Sequence, residues 1–292
     1  MKDCIVIGGG PAGLTAALYL ARFLRRVTLY DAADGRARMI PKTHNFAPFP
    51  DGISGQDLLD RMQSHAVRYG ATIENATVSA VQRQAGGFRI TTDRGVDKAA
   101  FVIFACGVLN HRPPLSDSDH DRGLSRGLIR YCPVCDAHEI RDKRVAVLGG
   151  GKHGFAEAGF IRHYSPKVTL IPPDGTVAVA RDGIDVAEAP MKALSLSQTE
   201  VVVTLENGRN RHFDTLYVAL GTTARSGLAA TLGIRLGKDG CIVSDAKGKT
   251  GVDGVYAIGD ITDGLDQIAH AMGQAAVAAT AIHNDLPRTP PQ

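Results

Sequence analysis

Two cysteines three positions apart carry the most specific chemistry in this sequence. Cys132 and Cys135 are separated by two residues, and Asp136 follows them directly. Such a pair is typical either of half a zinc site or of a redox-active disulfide. Zinc needs four ligands and the sequence has no second pair of this kind, so the spacing favours a reversible disulfide. The remaining cysteines stand apart from one another, at Cys4, Cys106 and Cys241.

A redox role gives each of these three residues a task. In thiol–disulfide exchange, one thiolate attacks a substrate disulfide and the other resolves the mixed intermediate. Asp136 would then protonate the leaving thiolate, provided that burial raises its pKa. A solvated turn carboxylate at this position would have no such role.

A glycine turn of the dinucleotide-binding kind lies near the start of the chain. Cys4–Ile7 predicts a strand, and the apolar residues after the turn recur at helical spacing. Val27–Tyr30 predicts a second strand, which ends at Asp31, where the fingerprint requires an acid for a ribose hydroxyl. Glycine permits the tight turn, the approach of a pyrophosphate and the close packing of helix on strand. The turn consists of Gly8, Gly9, Gly10, Pro11, Ala12 and Gly13.

The same pattern recurs at one constant offset later in the chain. Val145–Leu148 predicts a strand, residues 149–154 repeat the spacing of the three glycines, and Val168–Ile171 predicts the next strand. Two glycine turns and their strands in register indicate two dinucleotide-binding units in tandem.

The second unit lacks the acid of the first. Pro172 occupies the position that corresponds to Asp31, and proline has no side-chain acceptor for a ribose. Asp174 lies two residues further on, and the first arginine after the strand is Arg181. A 2′-phosphate needs a basic residue at this turn, so the sequence puts recognition of NADP(H) in doubt.

Three further buried-type strands end at or just before glycine. They are Phe101–Phe104 before Cys106-Gly107, Leu216–Leu220 before Gly221, and Val255–Ile258 before Gly259-Asp260. Ligands of parallel α/β sheets bind beyond the carboxyl ends of the strands. Asp260 is therefore expected to face a ligand, although a helix N-cap would explain the same residue.

The domain plan follows from these elements. Pro113-Pro114 and the polar stretch from Ser116 to Arg126 predict a linker out of the first domain. We expect an α/β protein with two Rossmann-like dinucleotide-binding domains, the second inserted into the first. The first would be discontinuous and comprise residues 1–113 and 222–292, and the second would comprise residues 114–221, including the cysteine pair.

Composition excludes several other classes of protein. The 292 residues are 44% hydrophobic and 22% charged, with a formal net charge of +3, which predicts a globular chain that binds neither nucleic acid nor anionic lipid. No apolar run approaches the roughly 18 residues that span a bilayer. The N-terminus passes from Met1-Lys2-Asp3 directly into the first strand, so we expect no signal peptide and a cytoplasmic location.

Together these motifs resemble the low-molecular-weight thioredoxin reductase family over nearly the whole chain. The resemblance rests on the two glycine turns, the Cys132-Pro133-Val134-Cys135-Asp136 segment, and Gly259-Asp260 followed by Gln267 and an alanine-rich helix. It implies an FAD-dependent enzyme with a redox disulfide, usually a homodimer. Electrons would pass through the flavin to the disulfide and on to a thioredoxin-like protein.

The resemblance also implies roles for individual residues. FAD would lie in the discontinuous domain, against the first glycine turn and near Gly107 and Gly259. Cys135 would face the flavin, Cys132 would attack the protein disulfide, and Asp136 would be the acid. The other implied contacts are Asp31 on the adenosine ribose, Asn45 beside the isoalloxazine, Asp260 on the ribityl and phosphate part, and Gln267 near the ring.

The second unit departs from the family. NADPH-dependent members carry a His-Arg-Arg run with a further arginine after the second strand, where this chain has Pro172-Pro173-Asp174-Gly175. It thus resembles the atypical members, some of which take electrons from ferredoxin or another flavin. Our hypothesis is a flavin-dependent disulfide reductase whose donor is not NADPH.

Other functions remain open at this stage. A dithiol oxidase that closes a disulfide in a small dithiol or protein, with oxygen as acceptor, would use the same residues. A catalytically inactive flavin-binding interaction module would not need the retained cysteine pair. A ferredoxin–NADP reductase would have no use for it either.

Overall fold

The computed structural model describes residues 1–173 and 183–287. Contacts divide the chain into two units. The first comprises Met1–Ile40, Ile53–Leu109 and Thr223–Gln292, and the second comprises Pro41–Gly52 and Asn110–Thr222. The segment Pro41–Gly52 therefore groups with the second unit, whereas the sequence boundaries assign it to the first domain.

The described residues form seventeen strands and seven α-helices. The strands are β1 Lys2–Ile7, β2 Val27–Asp31, β3 Thr72–Asn75, β4 Val78–Gln84, β5 Gly87–Thr92, β6 Gly95–Phe104, β7 Val108–Asn110, β8 Ile129–Arg130, β9 Val145–Gly149, β10 Val168–Ile171, β11 Asp185–Val186, β12 Met191–Leu196, β13 Val201–Leu205, β14 Asn210–Phe213, β15 Thr215–Ala219, β16 Thr222–Ala224 and β17 Val255–Ala257. The helices are α1 Pro11–Arg22, α2 Gly55–Arg68, α3 Asp117–Ser125, α4 Pro133–Asp136, α5 Gly151–Arg162, α6 Gly227–Ala230 and α7 Ile268–Asp285. Short 3₁₀ turns span Arg36–Met39, Ala137–Ile140 and Gly259–Ile261.

The sheet of the first unit is parallel around β1 and antiparallel at one end. Its order is β3-β2-β1-β6-β5-β4, and β17 pairs with β6. Strands β1, β2, β3, β6 and β17 pair in parallel, whereas β4, β5 and β6 form an antiparallel meander. The parallel part confirms the predicted Rossmann-like arrangement. Of the meander, the sequence predicts only Phe101–Phe104, at the end of β6.

Alternate residues of β1 serve two cores. Cys4 and Val6 join the core on the face that α1 and α7 cover, and Ile5 and Ile7 join the core on the opposite face. Both faces of the strand are apolar because both are covered, which explains the continuous apolar run in the sequence. The buried positions of α7 are mostly alanine, and these small side chains, such as Ala275, let α7 pack closely against α1.

The second unit repeats the parallel plan on a smaller scale. Its main sheet has the order β11-β10-β9-β15-β8, and each adjacent pair is parallel. A separate antiparallel sheet contains β12, β13 and β14. The strand–turn–helix–strand order of β9, α5 and β10 confirms the second Rossmann-like fold that the repeated glycines predict.

The linker predicted from Ser116 to Arg126 is wrong, because this stretch contains α3. Ser116 caps the helix, its hydroxyl accepting a hydrogen bond from the Asp119 N–H at 3.2 Å. His120 and Leu124, four residues apart, are both buried. The polar composition reflects an N-terminal turn rich in acids, which favours helix initiation, and an exposed outer face.

Two glycines of α5 provide a matched test of this packing. A Cβ at Gly154 would lie 2.8 Å from the Gly149 carbonyl carbon, whereas a Cβ at Gly159 would meet nothing within 4 Å. We expect Gly154→Ala to destabilise the protein by about 1–3 kcal/mol through overpacking. Gly159→Ala should stabilise it by about 0.5–1 kcal/mol through lower backbone entropy. Urea unfolding followed by circular dichroism measures both, and equal effects would contradict the packing described here.

Candidate active site

The two cysteines of the motif form a disulfide. Cys132 and Cys135 are joined with an S–S distance of 2.07 Å and a Cα–Cα distance of 5.2 Å. Cys132 is the N-cap of α4, and its sulfur accepts a hydrogen bond from the Cys135 N–H at 3.1 Å. Such a donor would stabilise a thiolate on Cys132 after reduction, so this cysteine is suited to nucleophilic attack.

The described residues provide no alternative metal-binding arrangement. None of their groups of His, Cys, Asp and Glu has the three or more members needed to hold a metal ion. The cysteine pair itself is closed as a disulfide.

Asp136 lies in a polar cluster directly after the disulfide. Its Oδ2 accepts a hydrogen bond from Arg130 Nη1 at 2.6 Å, and its Oδ1 accepts one from the Tyr217 hydroxyl at 2.6 Å. Burial raises the pKa of Asp136, while the charge of Arg130 and the Tyr217 hydrogen bond oppose that rise. Asp136 is thus a partly buried, hydrogen-bonded carboxyl, and its pKa is shifted upward, which is the direction that a general acid requires.

Residues on either side hold the segment that carries the cysteines. The Asn45 amide donates to the Val134 carbonyl at 3.4 Å, and Thr43 donates to Asn45 Oδ1 at 2.8 Å. Tyr131, which precedes the motif, contacts the buried His120 ring with its hydroxyl 2.8 Å from Nε2. Asn45 therefore contacts α4 between the two cysteines, a contact that its sequence position does not indicate.

The first glycine turn leaves space where a dinucleotide would need it. Gly8 has φ +112°, and a Cβ there would lie 2.3 Å from the Ala105 carbonyl oxygen. A Cβ at Gly13 would lie 1.9 Å from the Gly8 oxygen, so α1 packs directly on the end of β1. A Cβ at Gly10 would meet nothing within 4 Å, so open space lies before the N-terminus of α1. That helix begins with Pro11, Ala12 and Gly13.

Asp31 lies beside this turn. A Cβ at Gly9 would lie 2.3 Å from the Asp31 carboxyl carbon, so the carboxylate is next to the glycine backbone. The Ala33 N–H donates to Oδ1 at 3.1 Å, and Arg38 donates to Oδ2 at 3.0 Å. Each oxygen keeps a free acceptor site, which a ribose hydroxyl could use.

Asp260 lies at the carboxyl end of β17, in the 3₁₀ turn Gly259–Ile261. A Cβ at Gly259 would lie 2.9 Å from Ala12 Cβ, so this turn is close to the start of α1. Arg36 bridges Asp260 and Asp266, with Nη1–Oδ2 distances of 3.4 and 2.7 Å. Burial and the neighbouring Asp266 raise the pKa of Asp260 to about 6. The N-cap of α7 is Gln267, not Asp260.

Gly107 adopts φ +66° after β6, with open space on its Cβ side. The structure thus gathers the first glycine turn, Asp31, Gly107, Gly259 and Asp260 within one unit. It places Cys132, Cys135, Asp136 and Asn45 within the other.

The second glycine turn has a different backbone from the first. Its helix begins at Gly151 with φ +57°, whereas the matching Gly10 is an extended N-cap with φ −76°. A Cβ at Gly150 would lie 3.8 Å from Pro173 Cδ, so a proline ring stands where the first unit has a carboxylate. Asp174 and Arg181 lie outside the described residues.

Sequence reasoning missed several residues of these sites. Arg130 and Tyr217 lie opposite each other in the parallel pairing of β8 with β15, and both reach Asp136. A tyrosine within a buried strand needs a partner for its hydroxyl, which is the one signal that the sequence offers. Arg36 and Arg38, in the turn after β2, bind the acids of the first unit and were not singled out.

Comparison with known proteins assigns the family. The sequence profile of the pyridine nucleotide-disulphide oxidoreductase family matches residues 2–275. The chain belongs to this family. No described helix of this family member has the length and apolar character that a membrane span requires.

Relatives of this pyridine nucleotide-disulphide oxidoreductase cover nearly the whole chain. The thioredoxin reductase of Streptomyces clavuligerus is 30% identical over 304 residues, covering 96% of this chain and 90% of the relative. The crystal structure of thioredoxin reductase from Streptococcus pyogenes MGAS5005 has 25% identity and a TM-score of 0.89, covering 97% of each chain. The atypical thioredoxin reductase TRi from Desulfovibrio vulgaris Hildenborough has 30% identity and a TM-score of 0.56, again covering 97% of each.

These similarities confirm the enzyme class predicted from the motifs. The chain is a flavin-dependent disulfide oxidoreductase that resembles thioredoxin reductase. Its α/β fold with two Rossmann-like units is likewise confirmed.

The raised pKa of Asp260 predicts a pH-dependent stability in the flavin-free protein. A carboxyl with a folded pKa of about 6 favours folding below its ordinary value of 3.8, and this contribution is lost as pH rises through 6. Asp260→Asn should therefore be more stable than the wild type at pH 8, by on the order of 2 kcal/mol. Near pH 4 the two should be similar. Urea unfolding at both pH values tests this, and an equal difference at each would refute it.

Proposed function

We propose that this chain uses FAD to pass electrons to the Cys132–Cys135 disulfide and from there to a thioredoxin-like protein, with a donor other than NADPH. The observation that carries the proposal is the closed disulfide followed directly by a partly buried carboxyl of raised pKa, in a chain with a complete first glycine turn. The non-NADPH donor, which we infer to be a ferredoxin or another flavin, rests on the altered second turn.

The first unit has the features that FAD binding requires. The open space at Gly10 lets a pyrophosphate approach the backbone, and the free N–H groups of α1 point toward it. We assign Asp31 to the adenosine ribose and Asp260 to the ribityl and phosphate part. The remaining proposed contacts in this unit are Gly8, Pro11, Ala12, Gly13, Gly107, Gly259 and Gln267. Asn45, which belongs to the second unit, is the proposed residue for the isoalloxazine.

FAD, when bound, would supply two-electron chemistry that can reduce a disulfide. The protein supplies the residues for exchange with the substrate. Cys132 would attack a substrate disulfide as a thiolate, stabilised by the Cys135 N–H. Cys135 would then resolve the mixed disulfide, and Asp136 would protonate the substrate thiolate that leaves.

The second glycine turn supports a donor other than NADPH. The first unit presents Asp31 after its second strand, but the corresponding position of the second unit is Pro172. Pro173 lies near the Gly150 backbone, and Gly151 has the left-handed φ of +57°. A nucleotide would find no ribose acceptor at Pro172, and it would meet a left-handed Gly151 where the first turn has the extended Gly10.

The partner follows from the relatives, which are named thioredoxin reductases. We infer a thioredoxin-like protein as electron acceptor, a homodimeric assembly and a cytoplasmic location. A small dithiol is the other substrate class, because a dithiol oxidase would use Cys132, Cys135 and Asp136 in the reverse direction. The donor experiment below separates the two directions.

The roles of the two cysteines can be tested by coupling to a thioredoxin. The probe is a bacterial thioredoxin whose resolving cysteine is replaced by serine and whose attacking cysteine carries a thionitrobenzoate group. Cys135→Ser should form the mixed disulfide at least about tenfold faster than Cys132→Ser, since only Cys132 has the N-cap hydrogen bond. Release of thionitrobenzoate measures both rates. Faster coupling by Cys132→Ser would reverse the assignment.

The donor prediction concerns reduction of the bound flavin. Two absent arginine contacts to a 2′-phosphate, at about 1.5–3 kcal/mol each, weaken NADPH binding by about two to four decades. Anaerobic stopped-flow titration should therefore show very slow flavin bleaching by NADPH and only slightly faster bleaching by NADH. Reduced ferredoxin should bleach the flavin rapidly.

Dithiothreitol serves as the positive control in that titration, because it reduces the disulfide directly. Saturable bleaching by NADPH with a half-point in the micromolar range would refute the proposed donor. Fast bleaching by dithiols, followed by oxygen consumption without turnover of thioredoxin, would instead establish the dithiol oxidase.

A further inference from the structure

Three polar side chains of the second unit meet at Asp136, the residue that directly follows Cys135 in the chain. Asp136 accepts a hydrogen bond from Arg130 on Oδ2 and another from Tyr217 on Oδ1, both at 2.6 Å. Arg130 and Tyr217 are register partners in the parallel β8–β15 pair, so their side chains project to the same face. Glu139, from the turn that follows α4, also acts on Asp136 through its charge.

The charges that face Asp136 come from each of these elements. Burial, and to a lesser extent Glu139, raises the pKa of Asp136, while Arg130 and Tyr217 lower it. Burial and the neighbouring carboxylate raise the pKa of Tyr217 far above its ordinary value. The Tyr217 hydroxyl therefore keeps its proton and can donate it to a hydrogen bond throughout the physiological range.

The two donors are not equivalent when Asp136 takes up a proton. A guanidinium has only donors and stays charged, so a proton on Oδ2 would lie against a cation. A tyrosine hydroxyl can donate or accept, and it can reverse its hydrogen bond when Oδ1 carries the proton. Protonation of Asp136 is thus directed to Oδ1.

From this geometry, and resting on the proposed function, we propose that Arg130 and Tyr217 are positioning residues for Asp136. Arg130 fixes Oδ2, and Tyr217 shares the exchangeable proton of Oδ1 beside the cysteine pair.

Packing alone does not account for this cluster. Arg130 Nε and Glu139 Oε2 are buried and have no hydrogen-bond partner within the described residues. Buried polar atoms without partners cost stability, and an apolar cluster of similar volume is often as stable or more so. Tyr217 itself is fully buried. A role in proton transfer explains why charged groups occupy this place.

The test follows reduction of the Cys132–Cys135 disulfide by dithiothreitol in the flavin-containing protein. Two electrons and two protons pass from dithiothreitol to the pair, and one proton reaches the leaving cysteine thiolate from Asp136. The rate per dithiothreitol thiolate should fall as pH rises through the pKa of Asp136. Thiol alkylation and mass spectrometry measure this rate at each pH.

Tyr217→Phe removes one hydrogen-bond donor to the ionised Asp136 carboxylate and so raises the pKa of Asp136. The pH at which the rate falls should therefore increase by about one pH unit. The same substitution in the Asp136→Asn background should leave the pH dependence of the rate unchanged, because the effect acts through Asp136. Arg130→Gln should also increase the pH at which the rate falls, and it provides a second variant.

Tyr256→Phe is the matched control, since this buried tyrosine donates to Asp285 in the other unit and its loss should leave the profile unchanged. Urea unfolding followed by circular dichroism reports whether each variant is folded. The proposal would be overturned if folded Tyr217→Phe showed the same pH dependence as the wild type. It would also be overturned if Tyr217→Phe shifted the pH dependence equally with and without Asp136. Dithiothreitol replaces both the electron donor and thioredoxin, so failure of the proposed donor or partner leaves this test intact.

Discussion

The absence of a Cβ at the start of each long Rossmann helix is the constraint on which both units depend. A Cβ at Gly13 would lie 1.9 Å from the Gly8 carbonyl oxygen, and one at Gly154 would lie 2.8 Å from the Gly149 carbonyl carbon. Only glycine lets each helix rest on the end of its strand. The unpaired N–H groups of the helix then lie at the carboxyl edge of the sheet, where ligands of such folds bind.

The same glycine spacing nevertheless gives two different turns. In the first, Gly10 is extended and faces open space, and Asp31 lies beside the neighbouring glycine backbone. In the second, Gly151 is left-handed and Pro173 lies near Gly150. Close packing of helix on strand requires the glycines in both turns. The residue after the next strand, Asp31 or Pro172, determines whether a side chain can accept a hydrogen bond from a ribose. The same glycine spacing is thus compatible with two different sets of side chains at the ligand edge of the sheet.

The redox segment depends on burial in a different way. Cys132 begins a short helix, and the N–H of Cys135 reaches its sulfur. The carboxyl of Asp136 is drawn inward, where low polarity favours its protonated form and Arg130 opposes this. The net effect is a pKa above the ordinary value of an aspartate, which is the direction that a proton donor requires.

The sequence by itself determined the local elements: the strands that flank each glycine turn, the alanine-rich α7, the cysteine pair and the α/β class. Hydrophobic periodicity and the steric requirements of a turn depend on neighbouring residues, so they can be read from the sequence. The predictions made from them were wrong mainly where polar residues form a capped helix, as in α3. Only the tertiary structure decided the partners of Asp136 and Asp260. Tyr217 lies 81 positions beyond Asp136, and Arg36 lies 224 positions before Asp260. Such pairs arise from strand register and burial, which bring distant side chains together and shift their pKa values in ways that no short stretch of sequence records.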